Sequence, residues 1–308
     1  MHDRRQEWVL SVDTLVEGTH FLASAGADAI ACKALAVNLS DMAAMGVRPF
    51  QLNAMTVGDD PSRLYTLARL IEYHWARQLE NDWRARALRS AMPAGLPARA
   101  ATSCHIETFA GPRLVLSIEL LGTVAEGRAL RRADACVGDD VYVSGSLGDA
   151  GAGLAIQTRG LTIGDAAHAH WLLQRLHRPS PRLALGQALV GVANACIDVS
   201  DGLLSDLGHI CTASRVDARL HSSHLPLSPA LRGSLPPDQA IGLALTAGDD
   251  YELCFTAAPA RHRAVEAAAQ AAGCTVTRIG SIAAGTSQVW LDERPVDDGR
   301  RGFDHFAR

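Results

Sequence analysis

A chain of 308 residues, 48% hydrophobic and 20% charged, carries enough apolar mass for a full core, and its length sets an expectation of about two domains. The formal net charge of -4 argues against the clustered basic surface that nucleic acid or an anionic membrane requires, and every apolar run breaks before the ~18 residues of a membrane span. Seven scattered cysteines without a CxxC spacing, and no basic-then-apolar leader, make a reducing cytoplasm the expected compartment.

In chain order, "EWVLSVDTLVEGTHF" predicts a strand over Trp8 to Val12 that ends by delivering Asp13, then a polar turn. Apolar residues at 30, 34, 35, 37, 39, 42 and 45, with a stop at Gly46, predict a helix capped by Asp28. "NAMTV" reads as a second strand. A strongly periodic helix follows, with Asp60 as its cap and Pro61 in its first turn. Residues 84 to 103, rich in Ala, Arg and Pro, lose that periodicity and read as a loop, before a clear strand over 113 to 124.

The arginine-rich "EGRALRRADACVGDD" marks the expected domain boundary, giving domains 1–126 and 127–308. Beyond it come the strand "DVYVSG", a glycine-rich turn and helix, helices at 165 to 176 and 183 to 193 around "RPSPR", and the strand "ACIDV". A helix from 201, then "VDARLH", "ELCFTAA", a helix over 259 to 272, "CTVTRIGSI" and "QVWLDE" complete the pattern. Strands and helices interleave in both halves, so the fold class is α/β, or α+β in layers.

Several of these segments end in acids. Asp13 taken alone reads as a turn aspartate bonding its own backbone, and His20 as a packed or surface histidine. Asn38 and Asp41, three apart, share one helix face; a solvated face and a metal ligand both remain open, the latter offsetting the cost of a carboxylate near a helix C-terminus. In "CIDVSDGLLSDLGH", Ser200 or Asp201 is a natural N-cap and Asp206 a solvated helix residue, but Asp198 closes an apolar strand. A charge there is costly unless a cation or donors meet it.

"SGSLGDAGAGLAI" could accept phosphate through backbone N–H groups. It lacks the endings of known nucleotide loops, so close helix-to-strand packing explains it better. Asp249 and Asp250 precede a strand as a turn or as ligands. No Ser-His-Asp or Cys-His order joins these acids. Hard oxygen ligands at several chain ends suit Mg²⁺, which completes its octahedron with water and phosphate oxygens, and so favour phosphoryl transfer over hydrolysis.

The segments "SVDTLVEGTHF", "KALAVNLSDMAAMG", "GRALRRADA", "GDDVYVSGSLGDAGAGL", "RPSPR", "IDVSDGLLSDLGHI", "GDDYELCFT" and "GFDHF" together resemble, in order and approximate spacing, the thiamine-monophosphate kinase family. That family belongs to the superfamily of aminoimidazole ribonucleotide synthetase and selenophosphate synthetase. The resemblance covers the chain except about 50 to 112.

The resemblance implies a two-subdomain synthetase-like fold: an N-terminal domain for ATP and Mg²⁺ binding and for homodimerisation, and a C-terminal layered domain. It implies ATP-dependent phosphorylation of thiamine monophosphate to thiamine diphosphate with several Mg²⁺ ions. By motif, Ser11, Asp13, Asp41, Asp198 and Asp201 resemble metal ligands, Arg132 and Ser200 ATP contacts, and His20, Asp249 and Phe303 contacts to thiamine phosphate. Asp249 stands where the family usually has glutamate.

Three departures accompany the match. The family pattern begins upstream with a Gly-Asp-Asp segment, implying N-terminal truncation; Val12 replaces a metal-contacting threonine; and a Gly-Gly-Asp-Thr strand end has at best "HIET" in its place, with Glu107 or Thr108 near it. These imply impaired activity and leave two alternatives: a related ATP-dependent synthetase for another small phosphate acceptor, or a catalytically inactive nucleotide-binding homologue.

Overall fold

The computed structural model describes residues 5–87 and 103–296. Contacts divide the chain into two units, Met1–Met42 with Val47–Glu126, and Ala43–Gly46 with Gly127–Arg308.

In the first unit the strands β1 (Gln6–Val16), β2 (Arg48–Gly58), β3 (Ser103–Ala110) and β4 (Val115–Ala125) accompany helices α1 (Ala27–Ala44) and α2 (Pro61–Ala87). The sheet order is β1-β4-β2-β3; β4 runs antiparallel to both neighbours and β3 parallel to β2. Register decides which face each side chain takes. Leu15, Leu116 and Thr56 stand across from one another on the buried face, as do Leu120 and Leu52. Along α2, Leu64, Leu67, Ile71 and Trp75 form one buried stripe, and the helix packs on β2 and β3. Asp60 starts that helix as expected, its Oδ1 accepting the N–H groups of Ser62 and Arg63 at 2.9 and 3.3 Å.

Three expectations shift here. Strand β1 runs on to Val16 because Leu15 is core and pairs with Leu116 across the sheet, a pairing the β-branched Thr14 and Val16 tolerate well, so Asp13 sits inside the strand opposite Ile118 rather than at its end. Asp28 lies within the first turn of α1, where its Oδ1 meets His74 Nε2 at 2.8 Å, so it does not precede the helix as a cap. Helix α2 continues to Ala87, four residues into the expected loop, because alanine and arginine favour helix even where no apolar stripe guides them. The rest of that stretch, 88–102, lies outside the described residues.

The second unit contains β5 (Asp140–Ser144), α3 (Asp149–Arg159), α4 (Ala166–His177), α5 (Leu183–Leu189), β6 (Ala195–Asp198), α6 (Leu203–Ser214) and β7 (Asp217–Leu220). It continues with α7 (Pro229–Ser234), α8 (Pro237–Thr246), β8 (Leu253–Ala257), α9 (His262–Ala272), β9 (Val276–Ala283), β10 (Val289–Leu291) and β11 (Arg294–Pro295). The sheet order is β11-β10-β7-β9-β5-β8-β6. Val141, Val143, Ile197 and Ile279 of the strands pack with Leu203, Leu204, Leu207 and Ile210 of α6 in one core, each such side chain contributing about 1.5–3 kcal/mol on burial. Out of phase with Val141 and Val143 along β5, Tyr142 stacks on Phe255 with ring centroids 5.3 Å apart.

Candidate functional site

In the first unit, Ser11 and Asp13 are two apart on β1, so both lie on the strand face opposite exposed Val12. Buried Ser11 donates its Oγ–H to Asp41 Oδ2 on α1 at 2.6 Å, while the Asp13 backbone N–H donates to Asn38 Oδ1 at 3.0 Å. Asn38 is fully buried and its own amide donates to the Ala34 carbonyl. The Asn38–Asp41 face is thus tied to β1, with Asn38 buried and Asp41 half-buried. At the end of β1, His20 Nδ1 accepts the Val16 N–H at 2.9 Å, which in the neutral ring leaves the proton on Nε2. The carbonyl of the same residue accepts from Lys33 Nζ at 3.2 Å.

In the second unit, β6 ends on Asp198, which is buried, and α6 begins at Leu203. The expected caps Ser200 and Asp201 do not act as caps. Gly202 holds the N-cap position at φ 110, where an added Cβ would lie 2.8 Å from the Thr246 carbonyl carbon. The acceptor comes instead from inside the helix: Asp206 Oδ2 takes the N–H groups of Ser200 at 3.0 Å and Asp201 at 3.1 Å. Asp206 is 2% exposed, which corrects its reading as a solvated residue. Its position between Leu203 and Leu207 on the inward face, rather than its residue type, decides this. Burial, and then the charges of Asp198 and Asp201, push its carboxyl up to about 8.

The segment Gly248–Glu252 lies along this turn. Asp249 and Tyr251 donate backbone N–H groups to the carbonyls of Ser200 and Val199, both at 2.8 Å, and Val199 N–H donates to the Glu252 carbonyl at 2.8 Å. Asp249 and Tyr251 both adopt positive φ, 68° and 51°, and Tyr251 OH donates to Asp249 Oδ1 at 3.2 Å. Between them, fully buried Asp250 accepts the N–H groups of Gly148 at 2.7 Å and Ala150 at 3.4 Å. The glycine-rich helix start therefore spends these donors on an internal carboxylate. Burial pushes the Asp250 carboxyl up to about 8, against the opposing pull of the Gly148 N–H and Arg175.

Among the described residues, no three His, Cys, Asp or Glu side chains form a group that could hold a metal ion by themselves. The expected ligands are nevertheless all hard oxygens, the donor type Mg²⁺ takes together with waters and phosphate oxygens.

The AIR synthase related protein N-terminal domain matches residues 2–74, and the corresponding C-terminal domain matches 137–292. The thiamine-monophosphate kinase of Escherichia coli (strain K12) is 40% identical over 98% of this chain and 88% of its own length. The chain belongs to the thiamine-monophosphate kinase family. The crystal structure of the Stenotrophomonas maltophilia K279a thiamine-monophosphate kinase is 37% identical, with a TM-score of 0.82 over 96% of this chain and 88% of that one. AaThiL complexed with AMPPCP and TMP is 27% identical, with a TM-score of 0.79 over 98% of this chain and 88% of that one.

Within this family framework the remaining sequence-predicted residues are located as follows. Arg132 is exposed in a single 3₁₀ turn, its carbonyl accepting from Ser214 Oγ at 2.8 Å. Glu107 and Thr108 lie in β3, where Thr108 Oγ1 is 3.2 Å from Thr56 Oγ1 and Glu107 Oε1 is 3.3 Å from His105 Nε2. Phe303 lies outside the described residues.

What sequence reasoning missed is the buried polar network under the Gly248–Glu252 segment: Asp149, Arg175, Arg182, Asp250 and Glu252. The available signals were a glutamate leading directly into the apolar run "LCF" and the arginine that closes "RPSPR".

Proposed function

We propose that this chain transfers the γ-phosphoryl group of ATP to the phosphate of thiamine monophosphate, giving thiamine diphosphate and ADP. The observation that carries the reading is 40% identity to a thiamine-monophosphate kinase over nearly the full chain, with the Ser11–Asp41 pair and the Asp198–Asp201 turn built in the two units. An acceptor phosphate oxygen forms the new bond to the γ-phosphorus as the bond to the β-bridging oxygen breaks. The attacking group is already an anion, so no side chain need remove a proton. The barrier is the approach of two polyanions, which position and countercharge lower.

Ser11, Asp13 and Asp41 of the first unit, and Asp198 and Asp201 of the second, are the residues that would hold Mg²⁺. When bound, Mg²⁺ supplies charge neutralisation to the phosphate oxygens. The chain's own contribution is orientation. Ser11 fixes Asp41, Asn38 fixes β1 at Asp13, and Asp206 fixes the backbone of Ser200 and Asp201. His20, Asp249 and Phe303 are the acceptor contacts, and Arg132 and Ser200 the ATP contacts.

The exposed face of the first sheet supports a homodimer. Trp8, Leu10 and Val12 of β1 are 70%, 57% and 51% exposed, and the register places Met55 of β2 and Phe109 of β3 on the same face. Seven free cysteines suit a reducing cytoplasm; among the described residues no helix is long and apolar enough to cross a membrane.

ADP formation by the purified chain in Mg²⁺ and ATP tests the assignment. It should require thiamine monophosphate. Equal turnover with an unrelated phosphomonoester, or turnover independent of any acceptor, would overturn the assignment.

A further inference from the structure

The segment "RPSPR" and the glutamate of "DYELCF" have no part in the chemistry above, yet they meet in the second unit. Arg182, the last residue of "RPSPR", donates from Nε to Glu252 Oε2 at 2.6 Å and from Nη2 to Oε1, a bidentate fork on a fully buried carboxylate. Arg175 Nη2 donates to Glu252 Oε1 at 2.9 Å and also to the Asp250 carbonyl at 3.1 Å. Ser144 donates its Oγ–H to Glu252 Oε2 and accepts the Leu253 N–H at 2.8 Å. Four donors thus converge on one carboxylate. The packing is close enough to dictate sequence elsewhere: Gly145 sits at φ 57, and an added Cβ would lie 2.2 Å from Glu252 Oε1.

What this array restrains is the backbone next to it. Asp249 and Tyr251, both non-glycine, hold left-handed conformations that L residues adopt at a cost, so something must over-determine them. One side of the turn is tied to Val199 and Ser200, and the other to Arg175 and Glu252. Apolar packing of equal volume can stabilise a fold as well as a buried ion array does; what the array adds is a fixed geometry.

We propose that Glu252, clamped by Arg175 and Arg182, is a positioning residue for the phosphate acceptor, acting through the turn that aims Asp249. Glu252 is completely buried, so it acts through Asp249 and not by contact. The inference rests on the reading of Asp249 as an acceptor contact, and the test separates the two.

Steady-state kinetics are measured for Glu252→Gln, Arg182→Lys, Asp249→Ala and the Arg182→Lys/Asp249→Ala double variant, each below its own melting temperature. Arg182→Lys keeps the charge but loses the fork, and it carries the test if Glu252→Gln does not fold. The expected result is a KM for thiamine monophosphate raised about tenfold in Glu252→Gln and Arg182→Lys, with kcat and the KM for ATP within about twofold. In the double variant, Arg182→Lys should add nothing to the effect of Asp249→Ala. If Asp249→Ala leaves the acceptor KM unmoved, the reading of Asp249 fails and the inference falls with it. If Asp249→Ala raises it but Arg182→Lys and Glu252→Gln do not, affect both substrates equally, or add to Asp249→Ala independently, the inference alone is overturned.

Discussion

Replacing Asp206 by alanine separates a buried organising carboxylate from an ornamental helix residue. Asp206 Oδ2 is the acceptor for two N–H groups, of Ser200 and Asp201, in a turn that is only partly open to water. Each lost bond is worth about 1 kcal/mol where water can partly replace it, so Asp206→Ala should cost about 2 kcal/mol. For a domain of this size that corresponds to a fall of about 4–8 °C in melting temperature. Asp206→Asn keeps an acceptor at the same place and should lose less than half as much. Because the two N–H groups belong to the turn that aims Asp201, Asp206→Ala should also raise the Mg²⁺ concentration for half-maximal turnover about tenfold, equivalent to about 1.4 kcal/mol. Thermal melts and Mg²⁺ titrations of parent, Asp206→Asn and Asp206→Ala proteins provide the check. An Asp206→Ala protein that melts with the parent and responds identically to Mg²⁺ would show that Asp206 does not organise the turn.

Other positions yield sharper single tests. The Asp250 carboxyl, raised to about 8, keeps its proton in the folded chain after the unfolded chain releases it near pH 4; its stabilising contribution is complete below that pH and is lost as pH climbs toward 8. Urea denaturation of Asp250→Asn should therefore show a shallower loss of stability than the parent between about pH 5 and 8, and parallel curves would count against it. Gly145→Ala meets both a left-handed φ and the Glu252 carboxylate, and should destabilise by more than the roughly 1 kcal/mol of the backbone cost alone, as measured by chemical denaturation. The proposed homodimer through the exposed sheet face is tested by Leu10→Glu, which should sediment as a monomer beside a dimeric parent in analytical ultracentrifugation while the helix content holds; a parent that is itself monomeric would count against the dimer.

Much of the architecture was legible because its signals are local. Periodic apolar residues gave α1 and α2, and Pro61 with Asp60 gave the start of α2. Strand ends were less legible: nothing in "SVDTLV" tells a pleated residue from a turn residue until Leu15 finds Leu116 across the sheet. Helices α7 and α8 went unread because their prolines at the first turn read equally well as loop punctuation.

The candidate site divides in the same way. Asp198 was suspicious from sequence because an apolar strand ends on it. Asp206 was not, although its spacing among Leu203, Leu207 and Ile210 places it on the inward face of α6: an acid reads as solvated until Ser200 and Asp201 fold back to give it their N–H groups. The Glu252 network joins residues seventy or more positions apart and leaves no periodic trace in the sequence.

As proposed, these residues serve phosphoryl transfer onto thiamine monophosphate. The most direct test is chromatographic detection of thiamine diphosphate formed from ATP, Mg²⁺ and thiamine monophosphate, with Asp41→Ala and Asp198→Ala run in parallel. The parent should yield thiamine diphosphate and ADP in equal amounts, and each folded variant should lose both. ADP without thiamine diphosphate, or full turnover in the variants, would contradict this role.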